Sequence, residues 1–205
     1  METMSSLEAE TTPRRRGRPA DVDPDRVALL ALRHFAEHGY DATTMDEIAS
    51  LAGIGRRTLF RYFPSKPDLV WGGLEPVVGR MRAVLEEAPA GESARDVIAR
   101  AMAESLDLDA EHLEATRLRL RLMATDPALI GFGVTRLGAN HDILAEFIAR
   151  RLGESVDGLR AQVLADAISA ANFSALLWWA VRDAGDDPAA VAVAALDEVL
   201  RGLPD

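Results

Sequence analysis

A chain of 205 residues with 48% hydrophobic content is long enough to bury a core in one domain or two small ones. It contains no Cys, which excludes disulfides, thiol nucleophiles and Cys-based zinc sites and fits a reducing compartment. Its net charge of -10 is unevenly placed: residues 13–66 hold ten Lys/Arg against seven Asp/Glu, whereas residues 67–205 hold thirteen against twenty-three, so any contact with phosphates must come from the first part of the chain.

The start METMSSLEAE has no basic segment followed by an apolar run, and apolar stretches such as Ala175 to Val181 are too short to span a bilayer. A cytoplasmic protein without membrane contact is expected. No run alternates at period two with the β-branched content of a strand, while almost every apolar pattern has helical spacing, so the expected fold class is all-α with about nine helices. Residues 1–20 read as a flexible basic arm. Its Arg14, Arg15, Arg16 and Arg18 suit a minor groove or a phosphate backbone, where they would add salt-sensitive affinity.

The acidic DVDPD leads into a first helix with Val27, Leu30, Ala31 and Phe35 on one face and Gly39 at its end. Thr44 and Glu47 read as a capping box that starts a second, short helix, with Ile48 and Leu51 facing inward and Gly53 closing it. After the turn Gly53-Ile54-Gly55 a third short helix runs from Arg56 to Phe63, which completes a helix-turn-helix within residues 21–66. At about 100° per residue, Leu59, Phe60 and Phe63 share an apolar stripe, and Arg57, Thr58, Arg61 and Tyr62 lie opposite. Such a helix is held from behind and presents guanidinium groups, which can grip guanine O6 and N7 or a phosphate with two parallel bonds.

Residues 25–70, above all ATTMDEIASLAGIGRRTLFRYFPSKPDL, resemble the DNA-binding domain of the TetR family of transcriptional regulators. The resemblance covers about the first third of the chain and implies a three-helix DNA-binding head, a variable helical body that holds an effector, and dimerisation through the last two long helices. It further implies that Thr44 bonds a phosphate, that Gly55, Arg56, Arg57, Thr58 and Arg61 enter the major groove or its edge, and that Tyr62 and Lys66 hold backbone phosphates. Gly55 stands where Ser or Thr is common in that family, and Arg57 where a small residue is common.

Residues 67–205 are then expected to be the ligand-binding and dimerisation body. Ser65-Lys66-Pro67-Asp68 reads as a second capping box launching a helix to about Glu87, which Gly72, Gly73 and Pro76 should kink or interrupt and so soften. Further helices are expected at about 93–108, 111–124, 127–152, 158–184 and 188–202. Within the body, Met81, Leu85, Met102, Leu106, Leu118, Leu122, Phe147, Phe173 and Trp178 are candidates for an apolar cavity, with Asn140, His141 and Asn172 orienting a ligand. The helix over 158–184 is apolar on two sides: Val163, Ala167, Ala170, Ser174, Leu177 and Val181 on one, Leu164, Ile168, Ala175 and Trp179 on the other. Together with Ala192, Ala195 and Val199 the first side is the expected homodimer interface. The stretches RLRLRLMATDPAL and NHDILAEFIARRLG are similar to an actinobacterial subgroup associated with mycofactocin gene clusters.

Other signals carry less. Asp21, Asp23 and Asp25 have the opening spacing of a calcium loop but lack its Gly and closing Glu, and His34 with His38 lacks a metalloprotease Glu, so no metal site and no cofactor are expected. No poised nucleophile or oxyanion loop accompanies His112 or His141, which argues against an enzyme. The expected function is a dimeric, sequence-specific repressor that leaves double-stranded operator DNA when a small apolar or amphipathic effector binds. A helical adaptor or a small enzyme without DNA binding is the alternative.

Overall fold

A computed structural model describes residues 22–182 and 185–202, apart from the side chains of residue 75 and residues 134–140. The arm residues Arg14, Arg15, Arg16 and Arg18 and the side chain of Asn140 therefore lie outside the described residues. Within these limits the chain forms ten helices and no strand.

The head comprises α1 (Pro24–His38), α2 (Met45–Leu51) and α3 (Arg56–Tyr62). Asp23 caps α1 by accepting from the backbone N–H groups of Asp25 and Arg26, the use its acidic leader implied. The Thr44 and Glu47 capping box is present at α2. There the Glu47 carboxylate accepts from the Thr44 N–H and hydroxyl, and these bonds hold its pKa below the usual carboxylate range. Gly53, with φ 65°, follows α2 in the left-handed region, and the Ile54 N–H returns to the Ala49 carbonyl, which fixes the angle into α3. Leu51, expected inside, is 50% exposed; Ile48 and Ala49 supply the buried face of this two-turn helix.

The expected fourth helix is two helices, α4 (Lys66–Trp71) and α5 (Glu75–Glu86). Gly72 leaves the helical region at ψ 157° and Gly73 follows at φ 74°, so the two glycines interrupt the helix, the stronger of the two outcomes their spacing implied. A Cβ at Gly72 would lie 2.8 Å from the Phe63 ring, so the break also lets α4 close onto the head. Leu69, Val70 and Trp71 of α4 are buried with Phe35, Ile48 and Leu59 in one apolar cluster.

The body continues with α6 (Ala94–Ser105), α7 (Ala110–Thr125), α8 (Pro127–Leu152), α9 (Leu159–Ala180) and α10 (Pro188–Arg201). A second cluster joins α5, α6, α8, α9 and α10 around Met102, Leu144 and Phe147. The head is seated on α7, where Arg33 of α1 donates through Nε and Nη2 to the Glu114 carboxylate at 2.9 and 2.7 Å. The head cluster extends through Leu120 and Met123 of α7 to Trp179 of α9. By length and composition α9 is apolar enough to cross a membrane; here it packs along α7, α8 and α10.

Candidate nucleic-acid interface and ligand cavity

The recognition helix has the two faces its spacing implied. Leu59 is fully buried and Phe63 is 4% exposed, while Arg57 and Arg61 are exposed at the front. Thr58 and Phe60 are half-buried. Gly55 is the N-cap of α3 with nothing within 4 Å of a Cβ built there, so its backbone N–H end is open to an approaching group.

The cations of this face differ in what already holds them. Arg57 has no ion-pair or hydrogen-bond partner among the described residues. Arg61 donates through Nη2 to the Tyr62 hydroxyl at 3.2 Å and lies over that ring at 4.8 Å, a contact at the surface. Arg56 is paired with Asp46 of α2 at 2.7 Å and covers the Phe60 ring, so it ties the two helices of the motif together. Lys66, expected on a phosphate, sends its Nζ to the carbonyls of Tyr40, Asp41 and Thr43 and sits 4.3 Å above the Tyr40 ring. An ammonium has three donors, and all three are taken. In this geometry Lys66 clamps the α1–α2 loop, a role that spacing does not reveal because the carbonyls are more than twenty residues away. Thr44 likewise gives its hydroxyl to Glu47.

Between head and body lies a cavity of about 410 Å³, walled by α4 to α9. Met81, Met102, Leu106, His141, Asn172 and Phe173 line it, as spacing suggested. Leu85, Leu118, Leu122, Phe147 and Trp178 do not. Leu85 and Phe147 are buried in the body cluster, Leu118 and Leu122 pack on the head cluster, and Trp178 is 45% exposed beneath Arg182. The neighbouring Trp179 is the buried one, and its Nε1 donates to the Asp186 carbonyl.

Two lining residues missed in the sequence connect the cavity to the head. Trp71 ends α4, and its Nε1 donates to the Leu129 carbonyl of α8 at 2.8 Å. Its ring presses on α8 where Gly133 lacks a side chain: a Cβ there would fall 1.8 Å from the indole. Arg119 of α7, buried to 4% exposure, donates through Nε to the Val70 carbonyl at 2.6 Å and through Nη2 to that of Gly72 at 2.5 Å. Burial lowers its pKa from the ordinary guanidinium range to about 10, partly offset by the charge of Asp25. The helical positions of Arg117, Arg119 and Arg121 do not distinguish the one that turns inward; only the broken end of α4, with its unpaired carbonyls, supplies the reason.

On the outer face of α9, Val163 and Val181 are 53% and 50% exposed, Ala170 and Ser174 are exposed, and Ala167 and Leu177 are half-buried. Ala195 and Val199 of α10 are also half-buried. Ala192, expected at a dimer interface, is fully buried within the chain, because it shares the inward stripe with Leu196 at i, i+4.

Comparison with known proteins matches both parts of this arrangement. Residues 30–70 match the model of the bacterial regulatory proteins of the tetR family, and residues 92–204 match the MftR C-terminal domain. A Mycobacterium tuberculosis relative that carries the name of mycofactocin biosynthesis transcriptional regulator MftR is 30% identical over 187 residues, covering 91% of this chain and 94% of the relative. Thermus thermophilus FadR, a TetR family repressor solved in complex with lauroyl-CoA, shares the fold at 21% identity with a TM-score of 0.61, over 89% of this chain and 96% of that one. Bacillus halodurans FadR, a fatty acid degradation regulator, does so at 21% identity and a TM-score of 0.63, over 89% and 100%. With the family matched in head and body alike, and the helix-turn-helix set as its sequence required, the chain belongs to the TetR family of transcriptional regulators, in the group defined by the MftR C-terminal domain.

Proposed function

We propose that two copies of this cytoplasmic protein bind a two-fold operator duplex as a repressor, and that a small apolar or amphipathic molecule entering the cavity releases them. Arg57 and Arg61 read the major groove, while Gly55, Arg56, Thr58, Tyr62 and Thr44 flank it, with the basic arm adding non-specific affinity. The outward apolar face of α9, bearing Val163 and Val181, pairs with its copy and sets the separation of the two recognition helices. Lauroyl-CoA, held by the Thermus FadR, is an amphipathic ligand of the expected kind.

The observation that carries the release mechanism is that Trp71 belongs both to the head's apolar cluster and to the cavity wall. A ligand that displaces the indole acts directly on α4, and through it on α1 and α3. Such a ligand shifts the equilibrium only by its differential affinity for the bound and released arrangements. The test is fluorescence anisotropy on duplexes from upstream of the gene at two salt concentrations, with sedimentation of the free protein. Specific, salt-dependent binding by a dimer is expected. A monomer in solution, or operator affinity that no cavity-filling ligand lowers, would refute the mechanism.

A further inference from the structure

A second cavity, of about 180 Å³, lies between α1, the start of α5, the turn before α7 and α7 itself. Exposed residues form its rim, among them Asp25, Pro76, Asp107, Asp109 and His112, so it opens at the surface. Three of its lining residues, Val77 of α5 with Thr116 and Arg119 of α7, also line the large cavity. The two spaces are neighbours divided by those three side chains, the outer one facing water and the inner one lined mainly by apolar groups.

Helix packing explains the division. α5 packs along α6 and α8, and α7 packs on α1, α8 and α9, but α5 and α7 barely meet. Helices held apart in this way leave a seam that side chains alone close. The three that close it differ in freedom. Arg119 is buried and fixed by the carbonyls of Val70 and Gly72, and Thr116 is buried and short. Val77 stands in the first turn of α5, which is loosely held. That turn follows the break at Gly72 and Gly73, its N-cap Leu74 makes no side-chain hydrogen bond, and a Cβ at Gly79 would meet nothing within 4 Å. Immediately afterwards Arg80 donates through Nε and Nη2 to the carbonyls of Glu104 and Ser105 at 3.1 and 3.0 Å, which fastens α5 to the end of α6. Residues 74–79 therefore lie between a glycine break and a fixed point. Among the described lining residues, exposed Asp166 and Ala170 of α9 mark another approach to the large cavity. Ala170 belongs to the α9 face that meets the second copy in the proposed dimer, so that approach is the obstructed one.

We propose that apolar ligands reach the large cavity through the smaller one, across the seam between α5 and α7, with the first turn of α5 and its Val77 as the flap that admits them. The assignment rests on the reading of the large cavity as the effector site and adds its route of entry. A barrier on the path slows entry and exit by one factor and leaves the equilibrium unchanged, whereas a group that touches the bound ligand acts mainly on exit.

The absence of Cys from the chain lets a single introduced thiol be labelled alone. Pro76→Cys places it on the exposed rim of the smaller cavity, which is the one of the two that Pro76 lines, and Asp166→Cys places it at the α9 approach. Each full-length variant is mixed by stopped flow with the neutral fluorophore N-phenyl-1-naphthylamine, before and after reaction with N-cyclohexylmaleimide. Labelling at position 76 is expected to slow entry and exit together by about tenfold, with Kd changed by less than about twofold. Labelling at position 166 is expected to leave the entry rate unchanged. If the label at position 76 leaves both rates as they were or alters exit alone, or if the label at position 166 is the one that slows entry, the route is overturned while the cavity still takes apolar ligands. If the fluorophore does not bind the unlabelled protein, the effector-site reading falls and this one with it.

Discussion

Replacing Arg119 by Met keeps most of the buried stem and removes the guanidinium that joins α7 to the broken end of α4. Each of its two hydrogen bonds involves a charged donor and contributes about 1.5–3 kcal/mol, so the pair contributes about 3–6 kcal/mol. Against this stands the cost of keeping a cation buried. The fall in its pKa from the ordinary guanidinium value to about 10 corresponds, at about 1.36 kcal/mol per pH unit, to about 3 kcal/mol. The difference leaves a net loss of about 0–3 kcal/mol, small enough for the variant to fold. The functional loss should be the larger one, because the carbonyls of Val70 and Gly72 are no longer held and α4 loses its tie to the cavity wall. Urea melts followed by Trp fluorescence give the stability, and anisotropy on the upstream duplex with and without a cavity ligand gives the coupling. A variant that loses more than about 5 kcal/mol would show that the bonds far outweigh the desolvation. One that responds to ligand as the unaltered protein does would show that Arg119 carries no signal. Either result refutes the reasoning.

Four other outcomes can be checked. Arg57→Ala and Arg61→Ala should each weaken binding to the specific duplex by about 1–3 kcal/mol with little effect on unrelated DNA, measured by competition gel shift. Gly133→Ala puts a Cβ 1.8 Å from the Trp71 ring, so the indole must move, with a loss of about 1–3 kcal/mol and an altered Trp emission spectrum. Lys66→Met leaves the Tyr40, Asp41 and Thr43 carbonyls without their donor and should lower the thermal midpoint as well as any DNA affinity. Burial, then the charges of Asp126, Asp41 and Asp68, raise the Tyr40 pKa from 10.0 to about 12. The unfolded chain therefore releases this proton first, and Tyr40 contributes stability that is present below pH 10 and lost as pH rises through about 12. Urea melts at pH 9 and pH 11 should show a loss that Tyr40→Phe lacks.

The head was legible because its determinants are local. Capping boxes at Thr44 and Ser65, glycines at 39 and 53 and the stripe of Leu59 and Phe63 act within one or two turns, and each stands where spacing put it. The short helix of Leu51 misled because seven residues present too little of a stripe to fix which apolar side chain is covered.

In the body the sequence by itself determined the helices and their approximate ends, through Asp and Pro starts at Asp109, Asp126 and Asp187. It also made α9 apolar on two sides. Which side chains face the cavity was decided only by tertiary structure. Leu85 and Met81 lie on one helix and both join the body cluster, yet only Met81 also borders the cavity. Ala192 turned inward because Leu196 did, and Arg119 because α4 ends in carbonyls that nothing nearer in sequence could satisfy. Periodicity states that a residue is apolar and on a face; it does not state what the face meets. That depends on where helices remote along the chain cross, and here the crossings are set by Gly72, Gly73 and Gly133, where the absence of a side chain lets the head close on the body.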